Sequence, residues 1–257
     1  MSRTYTTIEF YPGPRVASIV LNRPPLNIIT IEMIDELNAA FDEADELQVQ
    51  IVVFSGKGDR AFSSGVDVRD HAPEKAESML GKFHRVIRRI RQSDCIAVAG
   101  IHGYTLGGGA ELALACDLVI AADDASIRFP EIDVGCYPPA AAAILARSIG
   151  QHKASEMILL GRPITAGQAE RMALVNKVVA RGQLSETVDQ YVGLLLVKSA
   201  PVLALTKRAL RASWDAPFEQ ALQATENLYL DGVATIEDMR EGIQAFLEKR
   251  LPAWKNR

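Results

Sequence analysis

The stretch Gly103-Tyr104-Thr105-Leu106-Gly107-Gly108-Gly109-Ala110-Glu111 decides how this chain is read. Just before it, residues 96–101 (IAVAGI) form an unbroken apolar run, the pattern of a strand covered on both faces. Just after it, residues 107–116 read as a helix. A strand that passes through glycines into a helix leaves the first helical N–H groups without intrahelical partners, and the missing side chains let a ligand come close to them. Glu111 falls three residues after Gly108, within one turn of those amides. Glycines cost a helix roughly 1 kcal/mol each relative to alanine. Two readings therefore stand: a tight packing turn, or a turn whose amides face developing negative charge. The spacing is not G-x-G-x-x-G, and no acidic residue follows on the next strand, which argues against a dinucleotide site. Gly56-Lys57 is followed by Gly58, not by the Ser or Thr of a P-loop.

A second loop of small residues, Arg60-Ala61-Phe62-Ser63-Ser64-Gly65-Val66-Asp67, follows the apolar run 51–54. Two such loops at the ends of neighbouring parallel strands would bound a crevice, the usual ligand position in open α/β sheets; the plain alternative is a turn. Ala61 breaks the G-x-S-x-G pattern of a serine elbow. Glu131 follows Phe129-Pro130 in an apolar neighbourhood, where burial would raise its pKa and suit it to proton transfer near neutrality. A loop glutamate that caps an amide is the alternative. His71, His84, His102 and His152 show neither i,i+4 pairing nor an H-E-x-x-H pattern, so they read as structural or exposed, and no metal site is expected. Lys82, Arg85, Arg88, Arg89 and Arg91 form basic stripes that read as a solvated or subunit-facing helix surface.

Residues 6–10 and 16–21 read as a hairpin about Pro12-Gly13-Pro14. Helical spacing follows over 31–47, a buried parallel strand over 51–54, a helix over 76–91 and a strand over 118–121. Beyond Pro138 helices dominate: 140–149, 153–160, 166–172, 184–197, 202–214, 218–230 and 236–250, interrupted by one strand at 176–179. This is an α/β core with an α-helical appendage.

The chain has 257 residues, a net charge of −4 and a pI near 5.7, which gives no global attraction to nucleic acid or anionic membrane. Cys95, Cys116 and Cys136 are too few for a disulfide framework and include no C-x-x-C pair. The opening Met1-Ser2-Arg3-Thr4-Tyr5 has no leader-like apolar core, and no apolar run approaches the ~18 residues of a membrane span. The expected compartment is the cytoplasm.

Taken together, Ala61-Phe62-Ser63-Ser64-Gly65-Val66-Asp67, the Gly103–Glu111 stretch with Leu112-Ala113, and Phe129-Pro130-Glu131-Ile132-x-x-Gly135 resemble the crotonase (enoyl-CoA hydratase/isomerase) family. Asn22-Arg23-Pro24-x-x-Asn27 and Ala245-Phe246-Leu247-Glu248-Lys249-Arg250 extend the resemblance over nearly the whole chain. It implies a ββα-repeat spiral core, placed at residues 1–195, and a C-terminal helical trimerisation region at 196–257, assembled as a trimer or dimer of trimers. It implies acyl-CoA thioester substrates, with coenzyme A as part of the substrate and no separate cofactor. The thioester oxygen would sit between the amides of Val66 and Gly108. Arg60 and Arg69 match contacts to CoA phosphates, the backbone at Ser63 and Ser64 matches an adenine contact, and Phe246 and Lys249 match a contact with CoA on a neighbouring subunit. Arg23, Leu26, Gly65, Asp67, Val68, Tyr104, Gly107, Pro130 and Pro139 match further positions along the substrate.

Family members that are hydratases carry two glutamates, which match Glu111 and Glu131, twenty residues apart. Water activation falls to Glu111 and protonation of carbon to Glu131. After Glu131 the common Gly-x-x-Pro-Gly-x-Gly-Gly is replaced by Gly135-Cys136-Tyr137-Pro138-Pro139-Ala140-Ala141-Ala142, which removes an N–H at position 139. With Asn22-Arg23-Pro24-Pro25-Leu26-Asn27, this looks like the cyclohexa-1,5-diene-1-carbonyl-CoA hydratase branch; a straight-chain 2-enoyl-CoA hydratase is the rival. Some relatives bind RNA through a lysine-rich first helix, but residues 27–49 hold seven acids and no Lys or Arg, which would repel phosphate. A catalytically silent CoA-binding protein is disfavoured by the two retained glutamates.

Overall fold

The computed structural model describes residues 4–214 and 216–256; Met1-Ser2-Arg3, with which the leader reading began, lies outside them. The chain opens with β1 (Ile8–Tyr11) and β2 (Val16–Leu21), then α1 (Ile31–Glu46), which starts where the Thr30 hydroxyl accepts the Met33 N–H at 3.3 Å. It then winds through three turns of a spiral. The first is β3 (Ile51–Gly56), β4 (Ala61–Ser63) and α2 (Pro73–Gln92). The second is β5 (Ile96–Ile101), β6 (Tyr104–Leu106) and α3 (Gly108–Ala115). The third is β7 (Leu118–Ala122), β8 (Ser126–Arg128) and α4 (Pro139–Ile149). There follow α5 (Gln151–Leu160), β9 (Ile164–Thr165), α6 (Ala166–Arg171), β10 (Lys177–Val179), α7 (Leu184–Leu196), α8 (Ala200–Trp214), α9 (Phe218–Asp231) and α10 (Glu237–Leu247).

Each turn of the spiral gives one strand to a large sheet and one to a small sheet. Among the described residues the large sheet runs β1-β2-β3-β5-β7-β10, parallel except for the β1/β2 hairpin. The small sheet runs β4-β6-β8-β9. All six residues of β5 are buried, because apolar side chains meet both of its faces. Ala97, Ala99 and Ile101 join the main core with Ile34, Leu37, Phe41 and Phe83. Ile96 and Val98 pack with Leu184, Val188 and Val192 of α7 on the other side.

Three expectations are corrected. The loop read over 60–67 and the glycine turn opening the 103–111 stretch contain β4 and β6, three-residue strands too short to show alternation. The first strand begins at Ile8 rather than at residue 6: its pairing with β2 starts at Ile8 opposite Leu21, and the N–H groups of Thr6 and Thr7 go to the Glu36 carboxylate at 2.7 and 2.8 Å. The last helix ends at Leu247 rather than at residue 250, and Lys249 takes a left-handed conformation (φ 55°).

Part of the basic stripe of α2 is also corrected. Lys82 pairs with Asp35 at 2.7 Å, Arg85 with Asp42 at 3.7 Å, and Arg89 with Asp42 and with Asp45, the latter at 2.5 Å, all acids of α1 in the same chain, whereas Arg85 and Arg88 remain exposed as expected and Arg91 lies over the Trp214 ring. Arg89 also lies over the Phe41 ring, 5.5 Å from its centroid.

The C-terminal helices are tied to the spiral by Lys207 of α8. Its buried ammonium donates to the carbonyls of Ile90 and Cys95, both at 2.8 Å, and to Asp117 at 2.7 Å. Asp117 in turn accepts the Ala97 N–H at 2.8 Å. Among the described residues, no single helix is long and apolar enough to cross a membrane.

Candidate active site

The backbones of Val66 and Gly108 come together where the spiral's small-residue loops meet. The segment around Ile29 pairs with the loop after β4: the Ile29 N–H donates to the Gly65 carbonyl and the Asp67 N–H to the Ile29 carbonyl, both at 2.9 Å. These bonds flank Val66, so its own amide faces away from Ile29, on a residue that packs beside Gly108. A Cβ built on Gly108 would lie 2.7 Å from Val66 Cγ2 and 3.4 Å from the Val66 nitrogen. Gly108 is the first residue of α3, where an N–H has no partner within the helix. Phe83 of α2 backs the same spot, its Cζ 3.3 Å from that built Cβ.

The chain reaches Gly108 through Gly107, held at φ 48°, ψ −125° with its N–H donating to the Arg128 carbonyl at 2.8 Å. Side-chain-bearing residues rarely adopt this conformation. A side chain here would also run into Oε1 of Glu131, so that carboxylate stands directly against the turn.

Glu111, on the first turn of α3, is 4% exposed. Its Oε1 accepts the Ala141 N–H at 2.8 Å. Ala141 sits in the first turn of α4, which starts with Pro139, a residue with no N–H to lose at that position. The carboxylate thus takes the place of a cap on α4 and faces the positive end of its dipole. Burial pushes Glu111 up to about 7, opposed by the amides of Ala141 and Ala140 and reinforced by the nearby charge of Glu131. Glu131 lies in the 3-10 turn Pro130–Val134, after the buried ring of Phe129. Burial raises its pKa too, and its Oε2 is enclosed with no hydrogen-bond partner. Cys136 closes this turn, its N–H reaching the Glu131 carbonyl at 3.1 Å.

Backbone amides aimed at one point can stabilise an oxyanion, and those of Val66 and Gly108 lie close together here. Two desolvated carboxyls, one near 7 and both raised, can give and take protons at neutral pH. Among the described residues, no group of three or more His, Cys, Asp or Glu side chains is placed to hold a metal ion.

The other sequence-derived candidates divide into two sets. Gly65, Val66, Gly107, Gly108, Glu111 and Glu131 meet at one place, with Pro130 and Pro139 opening the turns beside it. Asp67 caps the turn Val68–His71 and pairs with Arg69 at 2.5 Å, which holds the Asp67 carboxyl down to about 2. Val68, Arg60, Arg69 and Tyr104 are exposed. Arg23, half-buried, donates to the Ile28 carbonyl at 3.0 Å. The Ser64 N–H is engaged by the Leu26 carbonyl at 2.9 Å, and the Ser63 hydroxyl by the Asn27 carbonyl at 2.8 Å. Phe246, 82% exposed, lies at the end of α10 and Lys249 just beyond it, where the neighbouring bonds run to Glu241 and Val197 and none among the described residues runs to Glu111 or Glu131. Of the histidines, His71 and His102 meet backbone carbonyls of Asp67 and Gly58 at 3.1 and 3.0 Å, which fits their structural reading.

Two contributors escaped the sequence. The Ala141 amide is one; its only signal was Pro-Pro ahead of an alanine run, the mark of a helix start. Phe83 is the other, one apolar residue among several on α2.

The chain matches the family model described as enoyl-CoA hydratase/isomerase over residues 13–257. It is 34% identical over 250 residues to a 2,3-dehydroadipyl-CoA hydratase of Escherichia coli, covering 95% of this chain and 96% of that protein. It is 32% identical over 240 residues to a cyclohexa-1,5-dienecarbonyl-CoA hydratase of Thauera aromatica, covering 92% of each. A crystal structure of an enoyl-CoA hydratase from Bacillus anthracis superimposes with a TM-score of 0.92 at 31% identity, covering 98% of this chain and 100% of that one.

Proposed function

Because the chain belongs to the enoyl-CoA hydratase/isomerase family, we propose that this site adds water across a double bond conjugated to a CoA thioester. The thioester oxygen accepts from the Val66 and Gly108 amides. Water bonds to the β carbon, the π pair moves toward the α carbon and the carbonyl, and the amides carry the enolate charge. Glu111 takes the proton that water loses; Glu131 gives one to carbon. The pair then re-equilibrates its proton, and one water is consumed per turnover. Losing one such amide donor costs about 3 kcal/mol of transition-state stabilisation. The observation that carries this reading is the pair itself: a half-buried Glu131 against Gly107, and a buried Glu111 one helical turn beyond Gly108 whose pKa is raised by burial and by the Glu131 charge. This chemistry asks for no redox cofactor or metal, and CoA arrives with the substrate.

Arg60, Arg69 and the backbone near Ser63 and Ser64 are proposed to meet the CoA phosphates and adenine, with Arg23, Leu26, Asp67, Val68 and Tyr104 along the same path. For the acyl group we place the cyclic diene first, cyclohexa-1,5-diene-1-carbonyl-CoA going to 6-hydroxycyclohex-1-ene-1-carbonyl-CoA. Pro138-Pro139-Ala140-Ala141 favours it, because the fixed pyrrolidine rings and methyls beside Glu111 give a stiff wall suited to a flat ring. The second reading is a straight-chain 2-enoyl thioester, favoured by the likeness to the E. coli enzyme named for an open-chain substrate.

The assembly proposed is a homotrimer or dimer of trimers, supported by the exposed Leu210, Phe218, Leu230, Phe246 and Leu251 of the C-terminal region. Phe246 and Lys249 would then reach CoA on a neighbour. The proposed compartment is the cytoplasm; the acids of α1 disfavour nucleic acid, and the net charge of −4 gives no attraction to an anionic membrane. The test offers the purified protein crotonyl-CoA and the cyclic dienoyl-CoA side by side and follows the gain of one water by mass. Preference for the ring is expected. Preference for crotonyl-CoA moves the assignment to the straight chain, and no water gain on either overturns the hydratase reading.

A further inference from the structure

Asn27 is fully buried, sits in the left-handed region at φ 48°, and has no part in the proton transfers above. Its side chain is spent wholly on backbone. Oδ1 accepts the Arg23 N–H at 3.0 Å, and Nδ2 donates to the carbonyls of Lys57 and Ala61 at 3.0 and 2.9 Å. Its own carbonyl accepts the Ser63 hydroxyl at 2.8 Å, and that hydroxyl oxygen accepts the Gly65 N–H at 3.1 Å. The Ser64 N–H to Leu26 and the two bonds of Ile29 finish the seam. The Asn27 carbonyl–Ser63–Gly65 chain and the two Ile29 bonds hold the residues on either side of Val66, and the Asn27 side chain ties the loops at Arg23, Lys57 and Ala61 that carry this segment; among the described residues none of these bonds occupies the Val66 amide, whose nitrogen lies beside Gly108.

We propose that Asn27, acting through Ser63, is a positioning residue that sets the direction of the Val66 amide as an oxyanion donor. The inference rests on the hydratase reading. Hydrogen bonds weaken steeply as their angle closes, and misplacement by about 1 Å costs a catalytic group up to about a hundredfold. Asn27→Asp turns both donations into repulsions between a carboxylate oxygen and two carbonyls. Ser63→Ala is milder: it deletes one hydroxyl, keeps the backbone and leaves the Gly65 N–H unheld.

The experiment compares wild type, Asn27→Asp and Ser63→Ala. Turnover is measured on whichever thioester wild type hydrates, binding with the saturated butyryl-CoA, and thermal melting in parallel. The decisive readout is the absorption maximum of a bound cinnamoyl-CoA carrying a para-dimethylamino group, which moves to longer wavelength as its carbonyl is polarised. Both variants should lose ten- to a hundredfold in kcat and at least half of the spectral shift, while KM and butyryl-CoA binding stay within threefold. Wild-type kcat and an undiminished shift in folded Ser63→Ala overturn the inference, whether or not Asn27→Asp folds. A wild type that neither hydrates a thioester nor shifts the dye sinks the hydratase reading instead, a different pattern.

Discussion

The carboxylate of Glu131 occupies the space that a side chain on Gly107 would need. The turn and the acid are therefore fitted to one another, and the glycine serves the chemistry as well as the backbone. Gly107→Ala should force Glu131 aside and strain a conformation that costs about 1–3 kcal/mol. A drop in kcat of more than tenfold, a smaller change in KM and a stability loss of about 2 kcal/mol are expected, from steady-state kinetics and urea melts on the same preparation.

Glu111→Gln keeps an oxygen for the Ala141 amide but cannot take a proton; Glu131→Gln fills the same volume without giving one. Each should lower kcat by about 100- to 10,000-fold while leaving CoA-ester affinity nearly unchanged. Calorimetric titration beside a turnover assay separates the two quantities. Near-normal turnover in either variant removes that residue from its proposed role.

The raised pKa of Glu111 links activity and stability to pH in opposite senses. Water activation needs the ionised form, so kcat/KM should rise as pH passes about 7. In the unfolded chain the group titrates near its ordinary 4.5, so between about 4.5 and 7 the folded protein holds a proton that the unfolded one has lost. Stability then falls as pH climbs through that window and levels off above it. Glu111→Gln should therefore be more stable than wild type at pH 8, by about 1–3 kcal/mol, with the gap closing near pH 4. Glu131→Gln, by removing a like charge, should move the Glu111 titration downward, visible in the carboxyl infrared band.

The α1–α2 seam offers a contrast between two basic residues. The Arg89 side chain is 18% exposed, meets two aspartates, the Asn38 carbonyl and the Phe41 ring, and should cost about 2 kcal/mol when replaced by Ala. Lys82, 41% exposed with one partner, should cost less than about 0.5 kcal/mol. Urea melts in low and 1 M salt check both: added salt should erase the Lys82 difference and leave most of the Arg89 difference.

The large sheet was legible because its strands announce themselves, β2 by alternation and β5 by an unbroken apolar run. The small sheet was not, because three-residue strands such as Tyr104–Leu106 carry no period and exist only through pairing with one another. The glutamates could be picked out with the family's motifs, yet the bond from Ala141 to Glu111 spans thirty residues and depends on where α4 begins. The basic residues of α2 stood out plainly, but their partners lay on another helix, and charge alone does not say which neighbour it faces. Asn27 was visible as a letter in a motif; its three backbone acceptors and donors belong to loops that only the folded chain brings together.

Lys207 rivets the outer helices to the far end of α2, the same helix whose Phe83 props the Gly108 turn. A gene shortened after α7 would strip the countercharge from Asp117 and the donor from two carbonyls, and so loosen a prop well away from the cut. The tail is thus not a module to be exchanged freely: any grafted replacement must deliver a cation to the same three oxygens.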